Sequence, residues 1–327
     1  MKLRHGGQRQ HDLHFSKIFI SVKCTLTVHS MDDTPIPITV IVPVYGHGPY
    51  LDKVIAALRQ QLPPGTRIFL SHSDEGDPTE RFAGMQDVTV LHSPQRLYAG
   101  AARNRALELA TTEWVAFVDE DVIVGEGWHD ALVSCIDRGR ADCIVGSIGY
   151  AETGGYWGMS IWFAEFGNVH PYRAPGPISS GASANLAMRR DLLQSIGGFR
   201  EDWPTGEDSL AQAMLEVAGH RTWLEPAMVG RHVNQPGFLR ALRHVHRLGR
   251  YSARQRRMYP HLRGATAVRW PFVSLGMWLA RLGHIYSRVL VARKGPVILL
   301  AWHTPGILLC LIAWNIGFSR EAFSRRD

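Results

Sequence analysis

Two acidic groups in this chain have the composition to do chemistry. Asp119-Glu120-Asp121 follows directly on the apolar run at 113–118, EWVAFV. A buried strand that ends in acids delivers them to the edge of a core, where neighbouring carboxylates repel one another and lose hydration. A hard divalent cation shared between carboxylate and diphosphate oxygens resolves that conflict. A D-x-D triplet by itself is ordinary surface-loop sequence; its place after an apolar strand assigns this one to a ligand crevice. The second group is Gly206-Glu207-Asp208-Ser209, at the start of a helical pattern. Acids in a first helical turn complement the helix dipole, and a carboxylate beside a metal is also suited to take a proton from an attacking hydroxyl.

Three weaker features accompany them. Tyr98 to Leu107, YAGAARNRAL, is a small-residue turn that opens a helix, and its free N–H groups with Arg103 suit a phosphate. It has neither the lysine of a P-loop nor the spacing of a dinucleotide fingerprint. Ser73-Asp74-Glu75-Gly76-Asp77 is a strand-end turn whose carboxylates can accept hydrogen bonds from a base. His232 offers a metal ligand, although a single histidine is more often structural.

The elements that must position these groups alternate between strand and helix from Pro35 to about Glu225. The β-branched run at 37–45, PITVIVPVY, reads as a strand buried on both faces. Leu51, Val54, Ile55 and Leu58 mark one face of a helix over 51–61. Short strands follow at 67–71, 88–91, 113–118 and 142–148, with a helix over about 99–110. A strand around 184–188, a helix over about 207–218 and a strand at 221–224 complete the series. This β-α-β order predicts a mostly parallel sheet with helices on both faces. Ligands in such sheets bind beyond the carboxyl ends of the strands. The stretch from Ala151 to Pro177 reads as a loop, and Tyr156, Trp157, Trp162, Phe163 and Phe166 in it suit either an acceptor wall or core filling, with the wall slightly favoured.

Charge is divided along the chain. Residues 237–327 hold sixteen Lys/Arg against two acids, within a chain whose net charge is +7. Basic charge beside apolar sequence points to anionic lipid headgroups rather than to nucleic acid. Arg240, Arg243, Arg247, Arg250 and Arg254 form a stripe at helical spacing that suits headgroup contact. Residues 295–319 carry no charge, enough length to cross a bilayer at about 1.5 Å per residue. Pro305-Gly306 in the middle and basic flanks (Arg293, Lys294; Arg320, Arg325, Arg326) instead favour a re-entrant hairpin or a pair of interfacial half-helices. The stretch from Trp270 to Val291 is read as lying along the interface. The four cysteines, Cys24, Cys135, Cys143 and Cys310, have no metal or disulfide spacing, which fits a reducing compartment. The expected organisation is a tail over 1–34 (with Met31 as an alternative start and no cleavable signal), a catalytic domain over 35–235, a basic amphipathic segment over 236–270 and membrane-associated helices over 271–327.

In this order the pieces resemble the family 2 glycosyltransferases of the GT-A fold. The matching segments are VIVPVYG at 40–46, SDEGD at 73–77, AGAARNRAL at 99–107, VDED at 118–121, SANLAMRRDLLQSIGGFRED at 183–202 and GED at 206–208. The resemblance implies an α/β GT-A domain with a C-terminal membrane-associated helical segment. It implies that Pro43, Tyr45 and Asp74 line a nucleoside pocket, that Arg103, Asn104 and Glu120 stand at the donor, and that Asn185 with the small residues around Gly181 shapes the sugar and acceptor region. Asp119 and Asp121, with His232, would hold Mg²⁺ or Mn²⁺ on the diphosphate, and Asp208, with Glu207 beside it, would be the base of an inverting transfer. The implied partners are a nucleoside-diphosphate sugar, with UDP favoured, a hydroxyl acceptor (glycan, lipid-linked or peptide-derived) and anionic lipids at the cytoplasmic face of the cell membrane.

Two departures shape that reading. The usual Asp-Asp-Gly-Ser turn is Asp74-Glu75-Gly76-Asp77 here, which weakens the uridine assignment. No Q-x-x-R-W segment follows GED, which favours addition of a single sugar; the stretch RALRHVHRLGRYSARQRRMYP resembles smaller, non-processive members, some associated with maturation of peptide-derived redox cofactors. The competing readings are an inactive nucleotide-sugar-binding scaffold at the membrane and a sugar nucleotidyltransferase. Intact acids argue against the first. Against the second, no lysine or arginine precedes Lys53 in the first strand-to-helix turn.

Overall fold

Continuous apolar runs force the centre of the molecule to be a sheet covered on both faces. The computed structural model describes residues 36–150, 155–233, 237–292 and 296–324; the expected tail over 1–34, Arg293, Lys294, Arg325 and Arg326 lie outside them. The chain runs β1 (Ile38–Tyr45), α1 (Leu51–Gln61), β2 (Ile68–Ser73), α2 (Thr79–Phe82), β3 (Val88–Ser93), α3 (Ala99–Leu107), β4 (Trp114–Val118), β5 (Val122–Val124) and α4 (Trp128–Asp137). It continues through β6 (Cys143–Tyr150), α5 (Gly155–Phe166), β7 (Gly176–Ile178), β8 (Asn185–Arg189), α6 (Arg190–Ser195), α7 (Glu207–Val217) and β9 (Thr222–His232). Helices α8 (Phe238–Met258), α9 (Thr266–Arg269), α10 (Met277–Val291) and α11 (Val297–Phe323) follow, with a 3₁₀ turn at Pro271–Gly276.

Among the described residues the strands form one sheet in the order β3-β2-β1-β4-β8-β6-β9-β5, with β7 beside β9. The half containing β3, β2, β1 and β4 is parallel, as the β-α-β order requires. β8 then enters antiparallel between β4 and β6. The expected four-residue strand at 221–224 is instead the first part of β9, which runs on to His232 after a register shift opposite Gly146/Ser147. That extension brings His232 opposite Val122, next to the acidic triplet.

The 151–177 stretch is not a loop: α5 occupies Gly155–Phe166. It is apolar on every side, so no amphipathic period announces it, and such a helix belongs in a core. Trp162, Phe163 and Phe166 are buried there, while Tyr156 stacks on His303 and Trp157 packs tilted against Phe238. Trp162 and Phe163 are therefore core packing, while Phe166 also lines the large cleft beside His232.

The C-terminal segment also departs from expectation. α11 is one continuous helix of 27 residues through Pro305-Gly306, neither a re-entrant hairpin nor two half-helices. Pro305 is on the exposed side, and the Gly306 N–H donates to the Tyr156 hydroxyl at 3.1 Å. Gly249 of α8 and Gly317 of α11 let the two backbones touch: a methyl group at 249 would overlap the Trp314 carbonyl, and one at 317 the His246 carbonyl. Glu321, buried near the end of α11, accepts from Arg254 Nε at 2.9 Å and lies 3.4 Å from Arg250 Nε. The arginine stripe thus splits into Arg250 and Arg254 on Glu321, Arg243 and Arg247 exposed to solvent, and Arg240 at a cleft.

The opposite side of α11 is bare and apolar. Ile298, Trp302, Leu309, Ile312 and Ile316 are exposed along it, beside Leu279, Leu290 and Val291 of α10 and Phe272 and Leu275 of the 3₁₀ turn. Among the described residues α11 is the one helix long and apolar enough to cross a membrane, with a mean hydropathy of 2.0 over its most apolar window and 39% of that window buried.

Candidate active site

The acidic triplet sits where β4 leaves the sheet. Asp119 N–H donates to the Ala184 carbonyl at 3.3 Å, Val122 N–H to the Asp119 carbonyl at 3.0 Å, and Val233 N–H to the Asp121 carbonyl at 2.8 Å. These bonds pin the turn between β8, β5 and the end of β9. Pairing of β5 with β9 then places His232 Nε2 3.4 Å from Asp121 Oδ1. Burial, and Asp119 nearby, hold the Asp121 carboxyl above its ordinary range, against the pull of His232. Glu120 points the other way: burial and Asp121 push it up to about 8, and its Oε2 is buried without a hydrogen-bond partner among the described residues.

Arg103, the expected phosphate contact, has a different job. Its side chain is 2% exposed and spans the two acidic motifs, with Nη2 2.7 Å from Asp119 Oδ1 and Nη1 2.6 Å from Glu207 Oε1. Burial opposes its charge, but Asp119 and Glu207 outweigh it and hold the guanidinium above its usual pKa. Gly100, one turn earlier, faces the Arg200 carbonyl so closely that a methyl group would not fit. The small residues of α3 therefore serve helix packing, and Arg103 clasps the metal turn to the start of α7.

That clasp separates the two acids of GED. Glu207 is buried on Arg103 and pushed up to about 7 by burial and by Asp208, so it holds the clasp rather than reaching an acceptor. Asp208 is half-buried and lines the cleft. Its Oδ2 accepts from the Ser183 N–H at 2.9 Å and Oγ at 3.1 Å, and its Oδ1 from the Ser209 N–H at 2.6 Å. Gly206, with φ 81°, makes the left-handed turn into α7 that presents it.

Two asparagines expected at the donor are structural. Asn104 is buried between the Phe199 backbone (N–H at 2.8 Å, carbonyl at 2.8 Å) and Glu201. Asn185 is fully buried, accepting from Trp128 Nε1 and donating to the Ser147 and Met228 carbonyls. Both are corrected: each satisfies a core backbone, and neither faces a ligand.

Pro43, Tyr45, Asp119, Glu120 and Asp121 line a recess of about 220 Å³ at the ends of β1 and β4. Tyr45 is 48% exposed, its ring covered by the Arg96 guanidinium at 4.6 Å. Asp74 stands beside Gly46 at the rim and caps the Glu75 N–H at 2.9 Å.

A larger cleft of about 870 Å³ joins Tyr45, Arg103, the acidic triplet, Ser183, Glu207, Asp208 and His232. Its far wall is α8, which contributes Arg240, His244 and Leu248, and α5 supplies Glu165. Sequence reasoning missed these. Ser183 opens the matching segment at 183–202, whereas Gln212, which holds Gly181 through both its N–H and its carbonyl, had no local signal. Glu165 did have one, as the sole charge in an otherwise uncharged helix.

A mixed sheet with acids at the strand ends, opening into one cleft under a helical wall, is a GT-A domain. A mannosyltransferase from Pyrobaculum calidifontis, solved with GDP-mannose and Mn²⁺, superposes with a TM-score of 0.57 at 18% identity, over 88% of this chain and 89% of that one. Residues 39–197, just under half the chain, match the profile of glycosyl transferase family 2. A pre-mycofactocin glycosyltransferase of Mycobacterium tuberculosis is 26% identical over 272 residues, 79% of this chain but only 57% of that protein. Glycosyltransferase AglE of Haloferax volcanii is 23% identical over 206 residues, 61% of this chain and 67% of that one. The chain thus spans little more than half the length of the first of these relatives.

Proposed function

We propose that the chain is an inverting glycosyltransferase that moves one sugar from a nucleoside-diphosphate donor, UDP favoured, to a hydroxyl acceptor beside a membrane. The observation that carries the reading is Asp208, held by three donors at the wall of the same cleft that Asp121 and His232 face. Ser183 and Ser209 fix its orientation, which leaves its remaining lone pairs for a proton of the acceptor hydroxyl. The attacking oxygen then approaches the anomeric carbon from the side away from the leaving diphosphate.

Asp121 and His232 fit a divalent cation. A half-buried carboxyl with an imidazole nitrogen 3.4 Å away is a ready pair of ligands. Among the described residues no third Asp, Glu, His or Cys closes the set, so substrate and water oxygens would complete it, as Mg²⁺ and Mn²⁺ commonly allow. Asp119, tied to Arg103 at 2.7 Å, stands outside that pair. When bound, Mg²⁺ or Mn²⁺ would neutralise the charge of the departing diphosphate. The likeness to a Mn²⁺-bound mannosyltransferase supports this use of the site. Tyr45 offers a ring face to the base.

The membrane contact is read from the bare side of α11. Crossing a bilayer would carry α8 with it, because the Gly249–Gly317 contact and Glu321 bind the two helices together. α8 displays Arg243 and Arg247, which hydrocarbon excludes. The helix therefore lies along the surface, its Ile298–Ile316 stripe in the lipid and basic residues among anionic headgroups, with the cleft on the cytoplasmic side.

Donor hydrolysis or transfer over a panel of nucleotide sugars with Mg²⁺ or Mn²⁺ tests the function. Asp208→Asn is expected to keep nucleotide binding and lose about 10²-fold or more in kcat. Undiminished turnover in Asp208→Asn would remove the base assignment, and nucleotide binding without any turnover would favour the scaffold.

A further inference from the structure

The wall contributed by α8 is chemically unlike the rest of the cleft. Arg240, His244 and Leu248 are spaced four residues apart, so they share one side of the helix, and all three line the cleft. Across from them stand Asp119, Glu120, Asp121, Glu207 and Asp208. The cations on that acidic side are matched: Arg103 serves Asp119 and Glu207, and His232 lies against Asp121. Of the other arginines of α8, Arg250, Arg254 and Arg257 lie against Glu321, Arg243 and Arg247 face solvent, and Arg256 bonds to Ser252 and the Arg263 carbonyl.

Arg240 has no ion-pair partner among the described residues. His244 is held by Glu165, with Nε2 3.1 Å from Glu165 Oε2. That carboxylate raises the imidazole pKa above its ordinary value, against burial. In the protonated ring Nε2–H donates to Glu165, and Nδ1–H is left for a ligand. Arg240 adds a forked pair of donors that matches two oxygens of one anion. Arg240, with no ion pair of its own, and the His244 imidazole make α8 the positive wall of a cleft whose other side carries Asp119, Asp121 and Asp208.

We propose that Arg240 and His244 on α8, facing the acidic wall across the cleft, form a subsite for a phosphate-type oxyanion carried by a substrate. The subsite rests on the nucleotide-sugar reading of the cleft. Two sources share this chemistry: the distal phosphate of the donor, and a phosphate on the acceptor. Glu165 is the positioning residue of the subsite, acting through His244.

Titration calorimetry on the full chain with Mg²⁺ separates the sources. UDP, GDP and the matching nucleosides are titrated first, then inorganic phosphate into the chain saturated with whichever nucleotide binds. Arg240→Gln and His244→Gln are compared with the unsubstituted chain and with Arg243→Gln, whose side chain faces solvent. Loss of one charge-assisted hydrogen bond is expected to weaken the affected ligand by about 10- to 100-fold. Weaker diphosphate binding with nucleoside binding unchanged identifies the donor's phosphate. Arg240-dependent phosphate binding to the nucleotide-loaded chain identifies the acceptor's. Arg243→Gln should match the unsubstituted chain in both arms. If both substitutions leave diphosphate affinity within about twofold and no Arg240-dependent phosphate binding is seen, the subsite is overturned. Failure of UDP and GDP alike to bind the unsubstituted chain instead overturns the nucleotide-sugar reading, and the subsite with it.

Discussion

Replacing Arg103 with methionine tests whether the clasp between the two acidic motifs holds the site together. The guanidinium is 2% exposed and makes contacts of 2.7 Å to Asp119 and 2.6 Å to Glu207. Methionine fills much of the same space but strands two carboxyls. Removing one partner from a buried ionic cluster costs about 3–5 kcal/mol, because the charge left behind has neither water nor counter-ion. The lower end applies here. Asp119 is half-buried and can turn to water, and Glu207, already at about 7 beside Arg103, can take up a proton. Arg103→Met should therefore lower unfolding free energy by about 3 kcal/mol at pH 7.5 in urea titrations followed by tryptophan fluorescence. Adding Glu207→Gln should restore roughly half of that, since the amide needs no proton, while Arg103→Lys should fall between because one ammonium cannot reach both acids in a fork. A change under about 0.5 kcal/mol for Arg103→Met, or no recovery in the double substitution, would refute the clasp.

Other consequences can be measured separately. His232→Gln is expected to raise the Mn²⁺ concentration for half-maximal nucleotide binding about tenfold while leaving the melting temperature nearly unchanged, as loss of one ligand from an open site should. Glu207 is raised from 4.5 unfolded to about 7 folded, so the folded state binds its proton more tightly. Its contribution is complete below pH 4.5 and is lost as pH rises towards 7, about 3 kcal/mol in all. Glu207→Gln should flatten the stability profile between those pH values, and an unchanged slope would contradict the shift. Ile312→Glu with Ile316→Glu should abolish flotation with anionic vesicles while nucleotide binding persists; flotation equal to the unsubstituted chain would remove α11 from the lipid contact.

Sequence made the local parts of the fold legible. β1, β4 and the acids at 119–121 declare themselves within a few residues, because a two-face-buried strand is a continuous apolar run and its end is where charge reappears. Residue type misled where long-range burial decides. Arg103, Asn104 and Asn185 are all polar residues in the matching segments, yet the partners of Asn104 lie 95 and 97 residues away, those of Arg103 16 and 104, and those of Asn185 38 to 57. Nothing at short range shows that those groups are already satisfied. α5 and the unbroken course of α11 were hidden for a related reason: helices supported on several sides have no period to read, and the neighbours that carry α11 past Pro305 are Tyr156 and α8.

The backbone contact at Gly249 and Gly317 has a mechanical consequence. Two helices whose peptide planes touch cannot slide past one another, since any shift would drive a carbonyl into a backbone with no side chain to yield. α8 and α11 therefore form a lever with no internal play. One arm carries the bare apolar face with Ile312 and Ile316, and the other carries Arg240 and His244 at the cleft. A load applied to the first arm would therefore reach the second undiminished, and the width of the cleft would follow it.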